Sequence, residues 1–492
     1  SSFDELIIRD ILTWLTPETM LINIVAPEIN ANETTPYYLT EMRQYVLPAN
    51  QLSRFIEARK TPLKSIEWPL PNPFVRDPGK PLKVTRKTTS DTQPQVVLST
   101  PGVWAYVLPE NRFSQPRSDL YVSLRTPLAS DSPESALMAD LLARAINENF
   151  NFLNYDAMLA GAGFRARATQ SGITLEFSGF HRPILPLIDN VIKGIQIPLI
   201  DEPTWNLLYQ AKKQKLSEAN STRPFSRLFD EIKAGLMPLA FTQADLAKTF
   251  GSITRTLFHD YQKAFFAGFH VELFLHGPVS PEEGGRLLKL IIDQLPIDTH
   301  SKTIEITTKP WDLEKVETFI FPHPDQAAVV AYVSDDKSSR GRILNQFAGS
   351  LLEAPFYTTL RTQKQLGYLT FATAFSIFNT PILAGVIQSP VASPDELTAA
   401  ITKLITSFPE QVAKISNDTY NQSRHAMIDD LLNPPLTQAE MSSAIWNAIA
   451  TRRPFNDRMV QAGVLDNLTQ DEFINYLQNH LKDPVILKAY NA

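Results

Sequence analysis

Apolar residues recur along this chain in two rhythms, one of period two and one near the helical period, and the same succession of rhythms occurs twice. In the first pass, Val103–Leu108 and Leu120–Thr126 read as strands, and Ser135–Phe152 reads as a strongly apolar helix opened by Pro133 and Glu134. Gly161-Ala162-Gly163-Phe164 turns into a strand at Arg165–Thr169, and Ile173–Ser178 follows as the second arm of a hairpin. Helices are predicted over Pro183–Gly194, Thr204–Ser217, Phe225–Leu236 and Thr242–Phe250. Val271–Gly277 is a strand, and Ser280-Pro281-Glu282-Glu283 caps a helix running to Leu295.

The second pass begins near residue 310. Glu317–Phe321 and Ala327–Tyr332 match the first two strands, and Gly341–Leu352 matches the apolar helix. Leu366-Gly367-Tyr368 falls where Ala162-Gly163-Phe164 fell, Ile382–Gln388 matches Ile173–Ser178, and Pro394–Phe408 matches the helix after it. Asp418-Thr419-Tyr420-Asn421-Gln422 echoes Glu202-Pro203-Thr204-Trp205-Asn206. A repeat of this length is a duplicated domain. The predicted fold class is α/β (α+β): two tandem domains at 93–308 and 309–492, each a mostly antiparallel sheet packed by helices.

The first ninety residues read differently. Phe3–Trp14 is helical and Met20–Ala26 suits a strand, but one helix and one strand cannot bury their apolar faces alone. Residues 1–30 are therefore expected to complete a sheet whose other strands lie upstream or on a partner chain. Residues 31–92 are rich in proline (Pro36, Pro48, Pro62, Pro69, Pro71, Pro73, Pro78 and Pro81), which fixes φ and removes backbone donors. They are expected to form an extended connector with a short helix near Asn50–Lys60.

Composition narrows the functional classes. At 492 residues, with 43% hydrophobic and 20% charged, the chain suits several packed domains. A net charge of −6 argues against nucleic acid as a partner, since no basic excess is present to neutralise phosphates. Without cysteine there are no disulfides or thiolate metal sites, which fits periplasm and cytoplasm alike. No apolar run approaches the length of a membrane span. The start at Ser1 is read as a part of something longer.

Motifs for chemistry are scarce. None of the eight histidines (His181, His259, His270, His276, His300, His323, His425 and His480) belongs to a His-x-x-x-His or His-x-x-Glu-His arrangement. There is no Gly-x-Ser-x-Gly elbow and no phosphate loop. Lys212-Lys213-Gln214-Lys215 reads as a solvated helix face. Arg452, Arg453 and Arg458 are candidates for an inter-domain contact or for plain surface positions. The strand Ala372–Phe378, with Ile382–Gln388, reads as a plain hairpin, and edge pairing with an extended peptide is the alternative.

One stretch stands apart, Ala354-Pro355-Phe356-Tyr357-Thr358-Thr359-Leu360-Arg361-Thr362-Gln363-Lys364-Gln365-Leu366-Gly367-Tyr368. It reads as a helix end, a turn and a strand start. Gly367 sits where positive φ or close backbone approach suits glycine. Arg361 and Tyr368 flank the turn, and Tyr357 lies one helical turn before Arg361. The pattern P-x-F/Y-x-x-L-R-T-x-x-Q-L-G-Y resembles the non-zinc half of insulinase/pitrilysin (M16) inverzincin metallopeptidases, and the resemblance extends over nearly the whole chain.

That resemblance implies a clamshell peptidase of four structural domains, of which this chain supplies the third and fourth. The zinc would be carried by an N-terminal half, covalent or separate, and this chain alone would be inactive. Arg361 and Tyr368 would reach across the chamber, hold the substrate backbone and donate to the oxyanion of the transition state. Tyr357 would line the pocket beyond the scissile bond. Substrates would be unfolded peptides, and a pyrroloquinoline-quinone precursor processor is one specific candidate. The first repeat has Phe164 at the place of Tyr368 and Tyr155-Asp156-Ala157-Met158-Leu159 at the place of the Arg-Thr segment, so only the second repeat keeps the polar groups. The alternative is a non-enzymatic peptide-binding or scaffold subunit of the same fold.

Overall fold

The computed structural model describes residues 4–61, 67, 70–75, 93–197, 200–218, 223–300, 305–311 and 316–492. The chain forms two compact units, Ser1–Pro71 and Asn72–Ala492.

In the smaller unit, the helix Glu5–Trp14 is capped by Asp4, whose carboxylate accepts from the backbone N–H groups of Leu6 and Ile7. A second helix, Ala49–Arg59, stands where one was expected. Two-residue strands β1 (Glu33–Thr34) and β2 (Glu41–Met42) pair antiparallel. The strand expected at Met20–Ala26 does not form. Leu21 and Val25 are about nine-tenths exposed (90% and 92%). Apolar alternation alone does not make a strand; its N–H and C=O groups need a neighbour, and none lies alongside among the described residues. Pro62, Pro69, Pro78 and Pro81 of the expected connector lie outside the described residues.

The larger unit holds two sheets. The first contains β3 (Gln95–Thr100), β4 (Val103–Pro109), β5 (Arg117–Arg125), β6 (Ala162–Thr169), β7 (Gly172–Phe180) and β8 (His270–Gly277), in the order β3-β4-β8-β5-β7-β6. The second contains β9 (Val316–Phe321), β10 (Gln326–Val333), β11 (Leu369–Ile377), β12 (Thr380–Ser389) and β13 (Val485–Asn491), in the order β11-β12-β10-β13-β9. Read from β4 and from β9, the two orders coincide. In each, one parallel pair (β4 with β8, β9 with β13) joins an otherwise antiparallel array. The duplication seen in the hydrophobic pattern is a duplication of topology.

The hairpins fix how the repeats align. Thr169 faces Gly172 across one turn, and Ile377 faces Thr380 across the other. Counted back from these turns, Phe164 corresponds to Ala372, and Tyr368 corresponds to Ala160. The equivalence of Phe164 with Tyr368 is therefore corrected. Phe164 is a core residue packed against Phe150 and Phe177. The first repeat still has no phenol at the corresponding place.

Other expectations change in detail. The apolar helix ends at Asn149, and a second helix, Asn151–Leu159, starts after Phe150 leaves helical geometry to bury its ring. The loss of helical geometry falls between two asparagines, poor helix formers that favour breaks. Lys212 is not solvated: it is buried and bridges to Asp140 at 3.0 Å, while Lys213 and Lys215 face solvent.

Each sheet is covered on one face by a helix from the other half of the unit. Leu228, Ile232 and Leu236, on the helix Pro224–Leu236, pack against Ala327, Val329, Ile382 and Val386 of the second sheet. In return, Ile445 and Ile449, on the helix Gln438–Thr451, pack on Leu108 and Phe274 of the first sheet, and Trp446 stacks on Tyr121 with ring centroids 5.1 Å apart. Arg452 crosses the same boundary to the carboxylate of Glu272, which also binds Arg125 at 3.1 Å. Arg453 holds the β11–β12 turn through Asn379 and the Phe378 carbonyl, and Arg458 donates to the Asp430 carbonyl.

Candidate functional site

The helix Ser339–Tyr357 carries the conspicuous stretch to one end of the second sheet. Ser338 caps it by accepting from Gly341 N. Its buried face (Ile343, Leu344, Phe347, Ala348, Leu352 and Phe356) packs on the sheet through β11, and Gly349 lets its backbone lie close to Ala374. Pro355 sits inside the last turn, and the helix then widens into a π-helical turn, Thr358–Gln363. Lys364 N bonds to Thr359 O at 3.0 Å, and Leu366 N to Leu360 O at 3.0 Å. Leu360 points into the core and is 0% exposed, which pins the widened turn. Such insertions change the direction of side chains and recur at functional sites.

The turn back into β11 uses two special positions. Gln365 takes the left-handed conformation (φ 53°), and Gly367 supplies close approach. A Cβ at Gly367 would run into the Gln388 carbonyl oxygen and the Ile387 side chain. The demand at Gly367 is thus for space rather than for positive φ.

Three side chains emerge from this buried frame. Tyr357 is 51% exposed and Tyr368 49%, while Arg361 is half-buried. Arg361 and Tyr357 make no side-chain hydrogen bond or ion pair among the described residues, with each other or with Tyr368. Tyr368 is engaged. Its hydroxyl donates to Asp325 Oδ2 at 2.8 Å, and Gln388 Nε2 donates both to the phenol oxygen and to the same carboxylate oxygen, each at 2.8 Å. Partial burial, then the hydrogen bond and charge of Asp325, raise the phenol pKa above its ordinary value; Gln388 and Arg223 pull it the other way.

Sequence reading missed Asp325 and Gln388. The register explains their meeting: Gln388 on β12, which lies between β11 and β10, is opposite Leu369 of β11 and Ala327 of β10. Tyr368 immediately precedes β11 and Asp325 immediately precedes β10. Three neighbouring strand ends therefore bring the three side chains together. One signal was available, a glutamine inside an otherwise apolar strand, Thr380-Pro381-Ile382-Leu383-Ala384-Gly385-Val386-Ile387-Gln388. A buried amide needs partners.

The strand β11 is the outer strand of its sheet, so its far side carries unpaired backbone groups. Among the described residues no group of three or more His, Asp and Glu side chains is placed to hold a metal ion, so these residues do not fit a zinc site. No described helix is long and apolar enough to cross a membrane.

Comparison with known proteins places this architecture. The profile described as the middle or third domain of peptidase M16 matches residues 1–249, half of the chain. The chain belongs to the M16 peptidase family. A second profile, described as PQQ synthase PqqF-like, C-terminal lobe domain 4, matches residues 347–446, which include the Arg361 and Tyr368 stretch. The M16 chain is 22% identical to the A-factor-processing enzyme of Saccharomyces cerevisiae over 96% of its own length and 47% of that protein. It is 19% identical to the insulin-degrading enzyme of Homo sapiens, again over 96% of its length and 47% of the relative. The chain thus spans about half the length of the curated relatives it matches. The crystal structure of pitrilysin superposes with a TM-score of 0.81 at 19% identity, covering 100% of this chain and 52% of that one.

Proposed function

We infer that this M16 chain is the half of a clamshell zinc metallopeptidase that closes the chamber without carrying the zinc. In this reading residues 1–30 end a preceding domain, 31–92 connect the halves, and 93–308 and 309–492 are the third and fourth domains. The N-terminal half binds zinc and supplies the hydrolytic centre. This half supplies a wall and the groups that hold an unfolded peptide in place.

One observation carries the reading. Around a fully buried Leu360 and a buried Gly367, the chain leaves Tyr357, Arg361 and Tyr368 out of the core at one end of the sheet. A guanidinium offers several N–H donors in a fixed fork, suited to peptide carbonyls, and here no described side chain occupies it. Tyr357 offers an aromatic face to a substrate side chain. Holding a peptide in register against a reacting centre is itself a large contribution to rate.

The experiment is cleavage of a quenched fluorescent peptide by this chain alone, by the chain joined to its N-terminal half, and by the joined protein carrying Arg361→Ala or Tyr368→Phe. No activity alone, chelator-sensitive activity on joining, and losses of roughly tenfold or more from each substitution are expected. Activity from the isolated chain would overturn the reading. Unchanged activity in both variants would remove the roles given to Arg361 and Tyr368.

A further inference from the structure

The first sheet is covered on its other face by helices of its own repeat. Leu120 of β5 and Leu275 of β8 are cross-strand partners, and their side chains turn away from the face on which Trp446 stacks on Tyr121. Two helices, His181–Gly194 and Pro281–Ile292, pack their apolar stripes over these leucines. Between the helices a cavity of about 200 Å³ remains, walled by Leu and Ile side chains such as Ile184, Ile188, Leu288 and Ile291. Aliphatic-lined cavities of ~150 Å³ stay dry and take up benzene.

One end of this cavity is polar. Ser118, two residues before Leu120 and on the same face of β5, places its Oγ 2.7 Å from Nδ1 of His181, in the first turn of its helix. Gly277 makes room for the hydroxyl, since a Cβ there would run into Ser118 Oγ. Ser118 is buried, and no described residue bonds to His181 Nε2. Burial first, then the charge of Arg182, hold the ring's pKa below its ordinary value, with Glu283 pulling the other way, so the imidazole is uncharged at neutral pH. Asp189, the carboxylate among the described residues lining the cavity, is already paired with Lys193 at 2.6 Å.

In the second repeat the corresponding helix, Pro394–Thr406, is tied to its sheet: Lys488 and Tyr490 of β13 reach its Asp395 at 2.7 and 2.8 Å. In the first repeat β8 holds the place of β13 and presents Leu275, and the space stays open.

We propose that this cavity binds a neutral hydroxylated molecule of about phenol size, with its hydrocarbon body against the aliphatic walls and its hydroxyl on the Ser118–His181 pair. An uncharged imidazole beside a serine offers hydrogen bonds but no counter-charge, so a carboxylate in place of the hydroxyl is excluded by the cost of burying it unpaired.

The test is fluorine NMR of small probes titrated with the full 492-residue chain. 4-Fluorophenol is expected to bind saturably, fluorobenzene about tenfold more weakly for want of the hydrogen bond, and 4-fluorobenzoate not at all. His181→Leu should bring 4-fluorophenol down to the affinity of fluorobenzene. Leu290 lines the cavity yet is 62% exposed, so it stands at the mouth, where a larger side chain does not disturb the core. Leu290→Trp should shut out both probes, and Leu288→Phe should do the same by filling the interior. The assay requires no hydrolysis, so the proposal stands or falls separately from the peptidase reading.

Absence of saturable 4-fluorophenol binding, equal affinity for 4-fluorobenzoate, or a preference for the phenol that survives His181→Leu would each overturn the proposal. So would undiminished binding to Leu290→Trp, which would put the probe elsewhere on the protein. If Leu288→Phe fails to fold, Leu290→Trp decides alone.

Discussion

His276 Nε2 lies 3.0 Å from Glu110 Oε2, and both side chains are sealed from solvent beneath the helix Gln438–Thr451. On the other side of the ring, Nδ1 is 2.8 Å from Ser442 Oγ, whose own proton goes to Asp119 at 2.6 Å. The chain from Glu110 through His276 and Ser442 to Asp119 is the polar seam between the two repeats.

Breaking that seam should loosen the helix before the sheets. His276→Leu leaves Glu110 Oε2 buried without its partner, while Oε1 keeps the backbone N–H groups of Arg112, Phe113 and Ser114, and a cost of about 1–3 kcal/mol is expected. Urea unfolding followed by the fluorescence of Trp446, which stacks on Tyr121, should show the loss at the seam. A variant with an unchanged midpoint would show that the seam carries no stability.

Stability should also depend on Glu231, on the helix lent to the second sheet. Burial first, then the charges of Asp245 and Glu317, push its carboxyl up from the ordinary 4.5 to about 7, with Arg227 pulling back and Asp230 adding to the rise. The folded chain then holds this proton more tightly than the unfolded chain does. The contribution is full below about pH 4.5 and is lost as pH rises through about 7. Glu231→Gln should therefore raise the melting temperature relative to the parent at pH 8.5 and change it little at pH 4.5. An equal shift at both pH values would contradict the assignment.

Gly367→Ala should be costly for a steric reason. The added methyl meets the Gln388 carbonyl, so the mouth of the β11–β12 pair must open. A loss of about 1–3 kcal/mol is expected from crowding of this kind. Because Gln388 moves with it, affinity for peptide should also fall if this half holds the substrate as proposed. Gly161→Ala in the first repeat, at φ +76° and against the Phe180 ring, should cost stability without that loss. Denaturant titration and KM measured on the same samples separate the two effects.

Arg361→Lys keeps the charge and removes the fork. If the guanidinium serves a peptide carbonyl through more than one N–H, kcat/KM should fall roughly tenfold, close to the value for Arg361→Ala. A lysine variant with parental activity would show that charge alone is used there.

Much of this was legible in the residues. The hairpin arms, the capping box at Ser280 and Glu283, and the repeated order of strands follow from local rhythm and short-range chemistry. The motif around Arg361 and Tyr368 was legible because it is contiguous. The terminal strand β13 and the edge strand β3 were not, since β13 inserts between β9 and β10 from far along the chain and local pattern says nothing about such pairing. The meeting of Tyr368, Asp325 and Gln388 was hidden for the same reason: the three are adjacent only through the register of three strands. Lys212 was misread because a run of lysines hides which of them faces Asp140.

The exchange of helices between the sheets has a bearing on how the chain can be divided. A cut near residue 300 looks, from the repeat, like the natural joint. It would strip the second sheet of Leu228, Ile232 and Leu236, and the first of Ile445, Ile449 and Trp446, so each fragment would leave with a bare apolar face. The two copies are therefore expected to unfold together, each lending the other a helix that completes its core.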